Sequence, residues 1–448
     1  MTYREALDLL QRVAALDYER AGVATFATTD PQLTRMRALL AHLGDPQQGR
    51  RTVHVAGSKG KGSTAAMVAA VLRAAGARTG LYTSPHLHDF RERIVVDGAP
   101  IPEEAFAALA GEVAAAGEAV LAAGHGRPTL FELLTALAFL HFRAAEVRWQ
   151  VVEVGLGGRL DPTNVLDQKE VCVITPLSLE HTAVLGSTLP EIAAEKAAII
   201  RPGNQVVMAL QREPAADVVR ARCAEVGAAL HEVAAECAVR RDRADADGQE
   251  FRLRTPAGLY ALRLPLLGRH QVENAAAAVR AAELAGAFGP EVRPEHVREG
   301  LAEVRWPGRL EVLKRRPLLV VDGAHNVDSA RRLRDALHDH FGGRRVILVV
   351  GVLRDKDMEG MARELAPAAE TVIAVGLRHP RSAAAADVAA AFARAGAVPL
   401  TAPDVGAAVD QAWSLAGPED LICVCGSLAA AAEAREHVLG IVPGALRP

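Results

Sequence analysis

Aromatic side chains are scarce in this sequence, at 4% of residues against 50% hydrophobic residues overall. A core built on large rings is therefore excluded. Alanine carries much of the apolar fraction, which suits helices packed closely on sheets. Cysteine is sparse as well. Cys172, Cys223, Cys237, Cys423 and Cys425 are too few and too scattered for a disulfide framework. Cys423 and Cys425, with one residue between them, are expected on opposite sides of a strand, as buried, inert thiols rather than a metal or redox pair. A charge excess of one sign is also missing. The formal net charge of -3 gives no electrostatic reason to expect nucleic acid or an anionic membrane as partner. No apolar run is expected to approach membrane-spanning length, and Met1-Thr2-Tyr3-Arg4-Glu5 places polar residues where a signal peptide carries its apolar core. The absences leave a soluble globular chain, expected in a reducing cytoplasm.

What is present is alternation. The 448 residues exceed the usual length of one core, so two domains are expected. Apolar, β-branched runs at Thr52–Val55, Thr79–Tyr82, Gln150–Val154 and Glu170–Ile174 predict strands. Helical patterns at Thr64–Ala75, Pro102–Ala122 and Phe131–Ala144 lie between them. This is an α/β fold with a mostly parallel sheet. Glu250–Arg254 and Leu259–Leu264 alternate apolar and polar residues around Pro256-Ala257-Gly258, which predicts a small antiparallel hairpin. Trp306-Pro307-Gly308 reads as part of a linker over about 304–309. Strand Leu318–Val321, helix Asp328–His340, and strands Arg345–Val350, Thr371–Val375 and Leu421–Cys425 then make a smaller α/β domain. The domains are thus expected at 1–303 and 304–448.

Ligands of open α/β sheets bind beyond the carboxyl ends of the strands. The first strand is followed by Ala56-Gly57-Ser58-Lys59-Gly60-Lys61-Gly62-Ser63-Thr64 and a helix, the second by Thr83-Ser84-Pro85-His86. Glu153 ends the third, before Gly155-Leu156-Gly157-Gly158-Arg159-Leu160-Asp161, and Glu180 and His181 follow the fourth. Phosphate-binding, hydroxyl, carboxylate and imidazole groups thus converge on one edge. In the glycine-rich segment, main-chain N–H groups and the helix dipole favour an anion, Lys61 reaches terminal phosphates and the Ser63 hydroxyl suits Mg²⁺. A tight glycine turn packing a helix on a sheet is the alternative, since Val55 stands where the standard loop has glycine and Gly62 intervenes before Ser63. Glu153 lies among valines, where a carboxylate needs an ion pair or a metal. Mg²⁺ prefers oxygen, so Ser84, Glu153 and phosphate oxygens form a reasonable shell. By itself His181 reads as a structural histidine, and Lys196, in an alanine-rich helical stretch, as a solvated one.

The ordered set of motifs changes those readings. Gly57-Ser58-Lys59-Gly60-Lys61-Gly62-Ser63 resembles the phosphate loop of the Mur ligase superfamily. Leu81–Leu87, Glu153–Asp161 and Glu195-Lys196-Ala197 resemble its folylpolyglutamate/dihydrofolate synthase branch. His270–Ala276, Trp306–Arg309, Asp322–Asn326, Asp355-Lys356-Asp357 and Gly426-Ser427 continue the resemblance over almost the whole chain. It implies a P-loop ATPase-like central domain and a smaller Rossmann-like C-terminal domain. It implies that Gly60, Lys61, Gly62 and Ser63 hold ATP phosphates, with Asn274, Arg309 and Asp322 also contacting ATP across the two domains. Ser84, Glu153 and His181 would ligate Mg²⁺, of which two ions are expected. Lys196 would be carboxylated by CO₂, and Lys61, Lys196 and His181 would be catalytic. Thr129, Leu130, Phe131, Glu132, Leu160, Asp161 and Pro162 would help bind a pterin. Three departures stand out: Ser58-Lys59 replaces Thr-Asn, Glu180 replaces Asp, and Thr29-Asp30-Pro31-Gln32-Leu33 does not follow the family's pterin loop closely.

The implied activity is ATP-dependent ligation of L-glutamate to dihydropteroate, reduced folates or both through an acyl phosphate, by a monomer. The alternatives are another Mur-type amino-acid ligase, which Leu81–Leu87 argues against, and a nucleotide-dependent switch module without ligation.

Overall fold

The structure, a computed structural model, describes residues 1–21 and 31–444. Thr29 and Asp30, which begin the segment compared with the pterin loop, lie outside them. Two compact units divide the chain: Met1–Arg240, Arg252–Leu262 and Glu273–Val304 in one, Arg241–Phe251, Arg263–Val272 and Arg305–Pro448 in the other.

In the first unit, eight strands form one sheet: β1 (Arg51–Ala56), β2 (Thr79–Tyr82), β3 (Ile94–Val96), β4 (Ala99–Pro100), β5 (Trp149–Glu153), β6 (Val171–Ile174), β7 (Gln205–Met208) and β8 (Ala229–Glu232). Their order is β4-β3-β2-β5-β1-β6-β7-β8, and only β3 and β4 run antiparallel to their neighbours. β2, β5, β1 and β6 are nearly continuous runs of buried apolar residues because helices cover both faces of a parallel sheet. Their register positions the chemistry. Tyr82 pairs with Val152, Val55 with Glu153, and Ala56 with Ile174. Four carboxyl ends therefore lie in a row, and the segments after them leave from one edge.

Helix Lys61–Ala74 buries Ala65, Ala66, Met67, Val68, Ala69 and Val71, and its small residues allow the close packing expected of an alanine-rich core. The expectation of no membrane-length apolar run needs correcting. Helix Glu103–Ala122 is 20 residues long and holds an 18-residue stretch of mean hydropathy 1.5, enough to span a membrane by length and composition alone. Its length comes from the repeated alanines. It opens on Glu103 and Glu104 and buries Phe106, Val113 and Val120 while packing on helices Tyr3–Ala21, Pro31–His42 and Leu130–Ala144.

β9 (Ala238–Asp245), β10 (Gly248–Thr255) and β11 (Gly258–Leu264) form a small sheet in the order β11-β10-β9. β10 buries Phe251, Leu253 and Thr255 and exposes the intervening Glu250, Arg252 and Arg254, the period-two pattern of a sheet with one wet face.

The second unit carries a six-stranded sheet of β12 (Glu311–Arg315), β13 (Leu318–Val321), β14 (Val346–Val350), β15 (Thr371–Val375), β16 (Pro399–Ala402) and β17 (Leu421–Cys425), in the order β12-β13-β17-β14-β15-β16. All its pairings are parallel except that of β12 with β13. Here a second expectation is corrected. Cys423 and Cys425 share one face, packed with Leu348, Val350 and Val372, while Ile422 and Val424 face the opposite layer. Residues two apart in a strand point the same way, so one intervening residue aligns the pair rather than separating it. Both thiols are free and buried. The hydrogen bond with Cys425, which favours the neutral thiol, and burial push the Cys423 thiol well above its ordinary range.

Candidate active site

The phosphate loop is built by two glycines with different tasks. Gly57 lies so close to the chain after β6 that a Cβ there would fall 1.8 Å from Thr175 Oγ1 and 2.9 Å from the Thr175 carbonyl oxygen. Gly60 is the N-cap of helix Lys61–Ala74 with φ 83°, in the left-handed region, and a Cβ on it would lie 2.4 Å from Asn274 Oδ1. Asn274, itself buried, is thus brought against the loop. The amides of Ser58 and Lys59 both donate to the Pro176 carbonyl, at 3.1 and 3.0 Å. These two amides fix the loop. The amides from Gly60 onward, at the positive end of the helix, are the ones placed to meet an anion.

Gly57→Ala therefore forces main chain apart, and flexible side chains cannot absorb the clash. It is expected to destabilise the protein by about 1–3 kcal/mol, the usual cost of overpacking. A lowered urea midpoint measures this, and an unchanged midpoint rejects the close approach.

Around the loop, three lysines share one carboxylate. Glu180 Oε1 lies 3.1 Å from Lys196 Nζ and its Oε2 lies 3.6 Å from Lys59 Nζ. Burial raises the Glu180 carboxyl, but the charges of Lys196, Lys61 and Lys59 outweigh it and hold the group below its usual range. Lys61 opens the helix, half-buried. Lys196 is not a solvated helix residue. At 2% exposure it is among the largest fully buried side chains, and its ammonium also donates to the Gly57 carbonyl at 2.8 Å. Burial and the nearby charge of Lys61 bring its pKa down to about 8, against the pull of Glu180. The capping box of Thr188 and Glu191 starts the helix Leu189–Ala197 that presents it.

Glu153 ends β5 with 4% exposure, and its Oε2 accepts the Ser84 amide at 3.0 Å. Ser84 and Glu153 are therefore together. His181 is exposed, in the left-handed region at φ 48°, as the N-cap of helix Thr182–Leu185 on the loop after β6. Arg93, absent from the sequence reading, is buried beside Glu153. Burial lowers its pKa, the charge of Glu153 opposes this, and its Nε donates to His86 Nδ1 at 2.9 Å. Nothing in the polar turn Phe90-Arg91-Glu92-Arg93 distinguishes that arginine in sequence. Among the described residues, no three His, Cys, Asp or Glu side chains gather as a metal-binding group. The buried Glu153 carboxylate beside Ser84 and the phosphate loop does fit a hard cation whose shell is completed by phosphate oxygens and water.

Thr129 and Glu132 form a reciprocal cap that begins helix Leu130–Ala144, and Glu132, 1% exposed, also accepts Arg35 Nε at 3.0 Å. Leu130 donates its amide to Asp17 Oδ2. Phe131, half-exposed, presses against Gly155, where a Cβ would lie 2.5 Å from its ring, and stands 6.0 Å from the Tyr82 ring. The segment Thr129–Glu132 thus meets the glycine-rich loop after β5. That loop turns on Asp161, whose buried carboxylate accepts the amides of Leu156 and Thr163, both at 2.9 Å. Leu160 and Pro162 flank it, half-exposed.

Within the second unit, Asp322 follows β13 and accepts the amides of Leu310 and Ala324, each at 2.8 Å. Burial raises its carboxyl and the Arg309 charge opposes this. Arg309 lies against Gly323, with a Cβ there 2.9 Å from its Nη1. Arg309 and Asp322 thus interact electrostatically, and each remains half-buried.

A loop–helix anion site with clustered lysines, beside a sheet-edge carboxylate, is the apparatus of phosphoryl chemistry. The family model for the Mur ligase middle domain matches residues 55–282, and that for the Mur ligase glutamate ligase domain matches 308–428. The chain is thus a Mur-type, ATP-dependent ligase. It is 36% identical over 361 residues to the dihydrofolate synthase/folylpolyglutamate synthase of Bacillus subtilis (strain 168), a match covering 80% of this chain and 84% of that protein. It is 40% identical over 445 residues to a probable bifunctional folylpolyglutamate synthase/dihydropteroate synthase of Haloferax volcanii, covering 97% of this chain but only 50% of that longer protein. The crystal structure of Mycobacterium tuberculosis folylpolyglutamate synthase complexed with ADP and AMPPCP superposes with TM-score 0.88 at 34% identity, over 97% of this chain and 99% of that one. The chain belongs to the folylpolyglutamate synthase/dihydrofolate synthase family.

Proposed function

We propose that this ligase joins L-glutamate to a folate-type carboxylate, that of dihydropteroate, of a reduced folate, or of both, in the cytoplasm and as a monomer. A carboxylate is a poor acyl donor because oxide is a bad leaving group. Attack of a substrate carboxylate oxygen on the γ-phosphorus of ATP releases ADP and leaves an acyl phosphate. The glutamate amine then attacks the acyl carbon, an amide C–N bond forms as the nitrogen releases a proton, and phosphate departs with the electron pair of the broken C–O bond. The protein contributes mainly position and charge. The observation that carries this reading is the lysine cluster around Glu180 at the phosphate loop. Gly60, Lys61, Gly62 and Ser63 hold the phosphates in this reading, aided by Asn274, Arg309 and Asp322.

Ser84, Glu153 and His181 are the groups proposed to hold Mg²⁺, which when bound offsets charge on the transferring phosphoryl group. Lys196 is proposed to be carboxylated by CO₂. An anion there would stand beside Glu180 and favour a second cation. Thr129, Leu130, Phe131, Glu132, Leu160, Asp161 and Pro162 surround the substrate's pterin in this reading, directly or by shaping the two segments that meet at Gly155.

The test offers dihydropteroate and a reduced folate separately with ATP, Mg²⁺ and labelled glutamate, and identifies products by mass. Glutamate-dependent phosphate release with a glutamylated product is the expected result. ATP binding without such release would favour a switch module. Glu153→Gln keeps the volume and removes the charge. It should shift the Mg²⁺ dependence of turnover at least about tenfold, with folding preserved. An unchanged Mg²⁺ titration would favour a structural ion-pair role for Glu153, beside Arg93, over a metal-binding one.

A further inference from the structure

Behind the glycine-rich loop lies a chain of buried polar groups. Lys169 Nζ stands 3.1 Å from His54 Nδ1, and His54 Nε2 stands 2.8 Å from Thr163 Oγ1. Thr163 Oγ1 in turn donates to Asp161 Oδ1 at 2.5 Å. Lys169 Nζ also donates to Asn164 Oδ1 at 3.1 Å, and Asn164 Nδ2 donates to the Arg159 carbonyl at 3.1 Å. All five side chains are buried, and His54 and Thr163 are completely so. Leaving such groups unpaired would be costly, so their proton positions are determined by one another.

The order of protons follows from the ends. An ammonium only donates and a carboxylate only accepts. Burial brings the Lys169 amine down to about 8, so at neutral pH it is an ammonium that donates a hydrogen bond to His54 Nδ1, which fixes the imidazole as the Nε2–H tautomer. Nε2–H donates to Thr163, and the single hydroxyl proton of Thr163 is left for Asp161. A cation at one end and an anion at the other make the relay neutral overall. Burial, then the charges of Lys169 and Arg201, keep the imidazole unprotonated. Both branches from Lys169 end on one loop, at Asp161 and at the Arg159 carbonyl. Asp161 Oδ2 closes that loop by accepting the Leu156 amide. The loop begins two residues after Glu153 and presents Leu160 and Pro162.

We propose that Lys169 and His54 are positioning residues for the folate-type substrate, acting through a proton-ordered relay that ends on Asp161 and fixes the shape of the loop from Gly155 to Pro162. This rests on the substrate reading above. None of the relay lies in the phosphate loop, so the nucleotide should be held as before. A core polar network without this role would alter stability and leave both substrates equally served.

The experiment has two arms. Nitrogen-15 NMR of the histidine-labelled full chain, with His54 assigned through His54→Gln, should show His54 neutral with the proton on Nε2 and not titrating near neutral pH. A Nδ1–H tautomer, or titration near neutrality, overturns the relay whatever the substrate proves to be. In the second arm, Lys169→Met and Thr163→Val should raise KM for the folate-type substrate roughly tenfold or more, with KM for ATP within about twofold and a smaller fall in kcat. Thr163→Ser, which keeps the hydroxyl, should restore the KM. Should Lys169→Met fail to fold, the Thr163 pair decides alone. An unchanged folate KM in folded Thr163→Val overturns the positioning role. If wild-type protein neither binds nor uses any folate-type substrate, the proposed function fails and the positioning role with it, while the NMR arm still judges the proton order.

Discussion

Lys61→Ala is expected to lower turnover at least about a hundredfold, a loss on the order of 3 kcal/mol, the usual effect of deleting one preorganised electrostatic group. Lys61 stands at the first position of helix Lys61–Ala74, where the unpaired amides and the dipole already favour an anion. Its own ammonium adds a compact charge at the end of the loop. Lys59 and Lys196 do not replace it. Lys196 is buried against Glu180 and the Gly57 carbonyl, and Lys59 faces the other oxygen of Glu180. The expected signature is a fall in kcat larger than any weakening of ATP binding, measured by steady-state kinetics and calorimetry on folded protein. Near wild-type turnover would remove this lysine from the chemistry.

Lys196→Ala should cost a comparable factor, roughly a hundredfold or more, and it should be partly rescued by a short carboxylic acid that fills the gap. Forming a carbamate requires the neutral amine. With a pKa of about 8, about one lysine in ten is neutral at pH 7, against roughly three in ten thousand for an ordinary, solvated lysine. The sign is clear: neutral amine increases with pH through about 8, so wild-type activity should depend on bicarbonate and regain it faster at the alkaline end. The two arms separate a carbamate from a buried ammonium. If activity is indifferent to bicarbonate and no carboxylic acid rescues the alanine variant, Lys196 works as a cation that holds Glu180 and Gly57. In that case the lost bonds to the Gly57 carbonyl and Glu180, rather than a missing anion, would account for the loss.

Much of the scaffold is written in the apolar runs. Thr79–Tyr82, Leu318–Val321, Thr371–Val375 and Leu421–Cys425 are strands with the limits the sequence predicts, because parallel strands covered on both faces must be apolar throughout. Strands β3, β4, β7, β8, β9, β12 and β16 were not read from the sequence. Ala238-Val239-Arg240-Arg241-Asp242-Arg243-Ala244-Asp245 has no strand composition, and it is ordered by lying at the edge of its sheet beside β10. The Cys423/Cys425 error was one of period, not of composition. For the site, the residues that follow strands were legible because topology alone collects them at one edge. The partners that give them their properties were not. Glu180 and Lys196 are 16 residues apart, and Lys196 and Gly57 are 139 apart, on different elements. Nothing local in Glu195-Lys196-Ala197 signals that its lysine is buried. Arg93 and the path from Lys169 to Asp161 are likewise properties of packing.

The paired donation of the Ser58 and Lys59 amides to the Pro176 carbonyl has a consequence for how nucleotide is received. A glycine-rich loop is ordinarily the part of a chain with most conformational freedom to lose. Here its first half is clamped to the strand-end segment beside it, and Lys196 holds the Gly57 carbonyl from below. The concavity therefore exists before any phosphate enters it. Association then costs little ordering entropy, so more of the interaction energy remains as affinity. The clamp has the opposite effect on sequence tolerance. A loop that is already shaped cannot adjust to a side chain at Gly57, and the region that looks softest in the sequence becomes one of the least forgiving in the molecule.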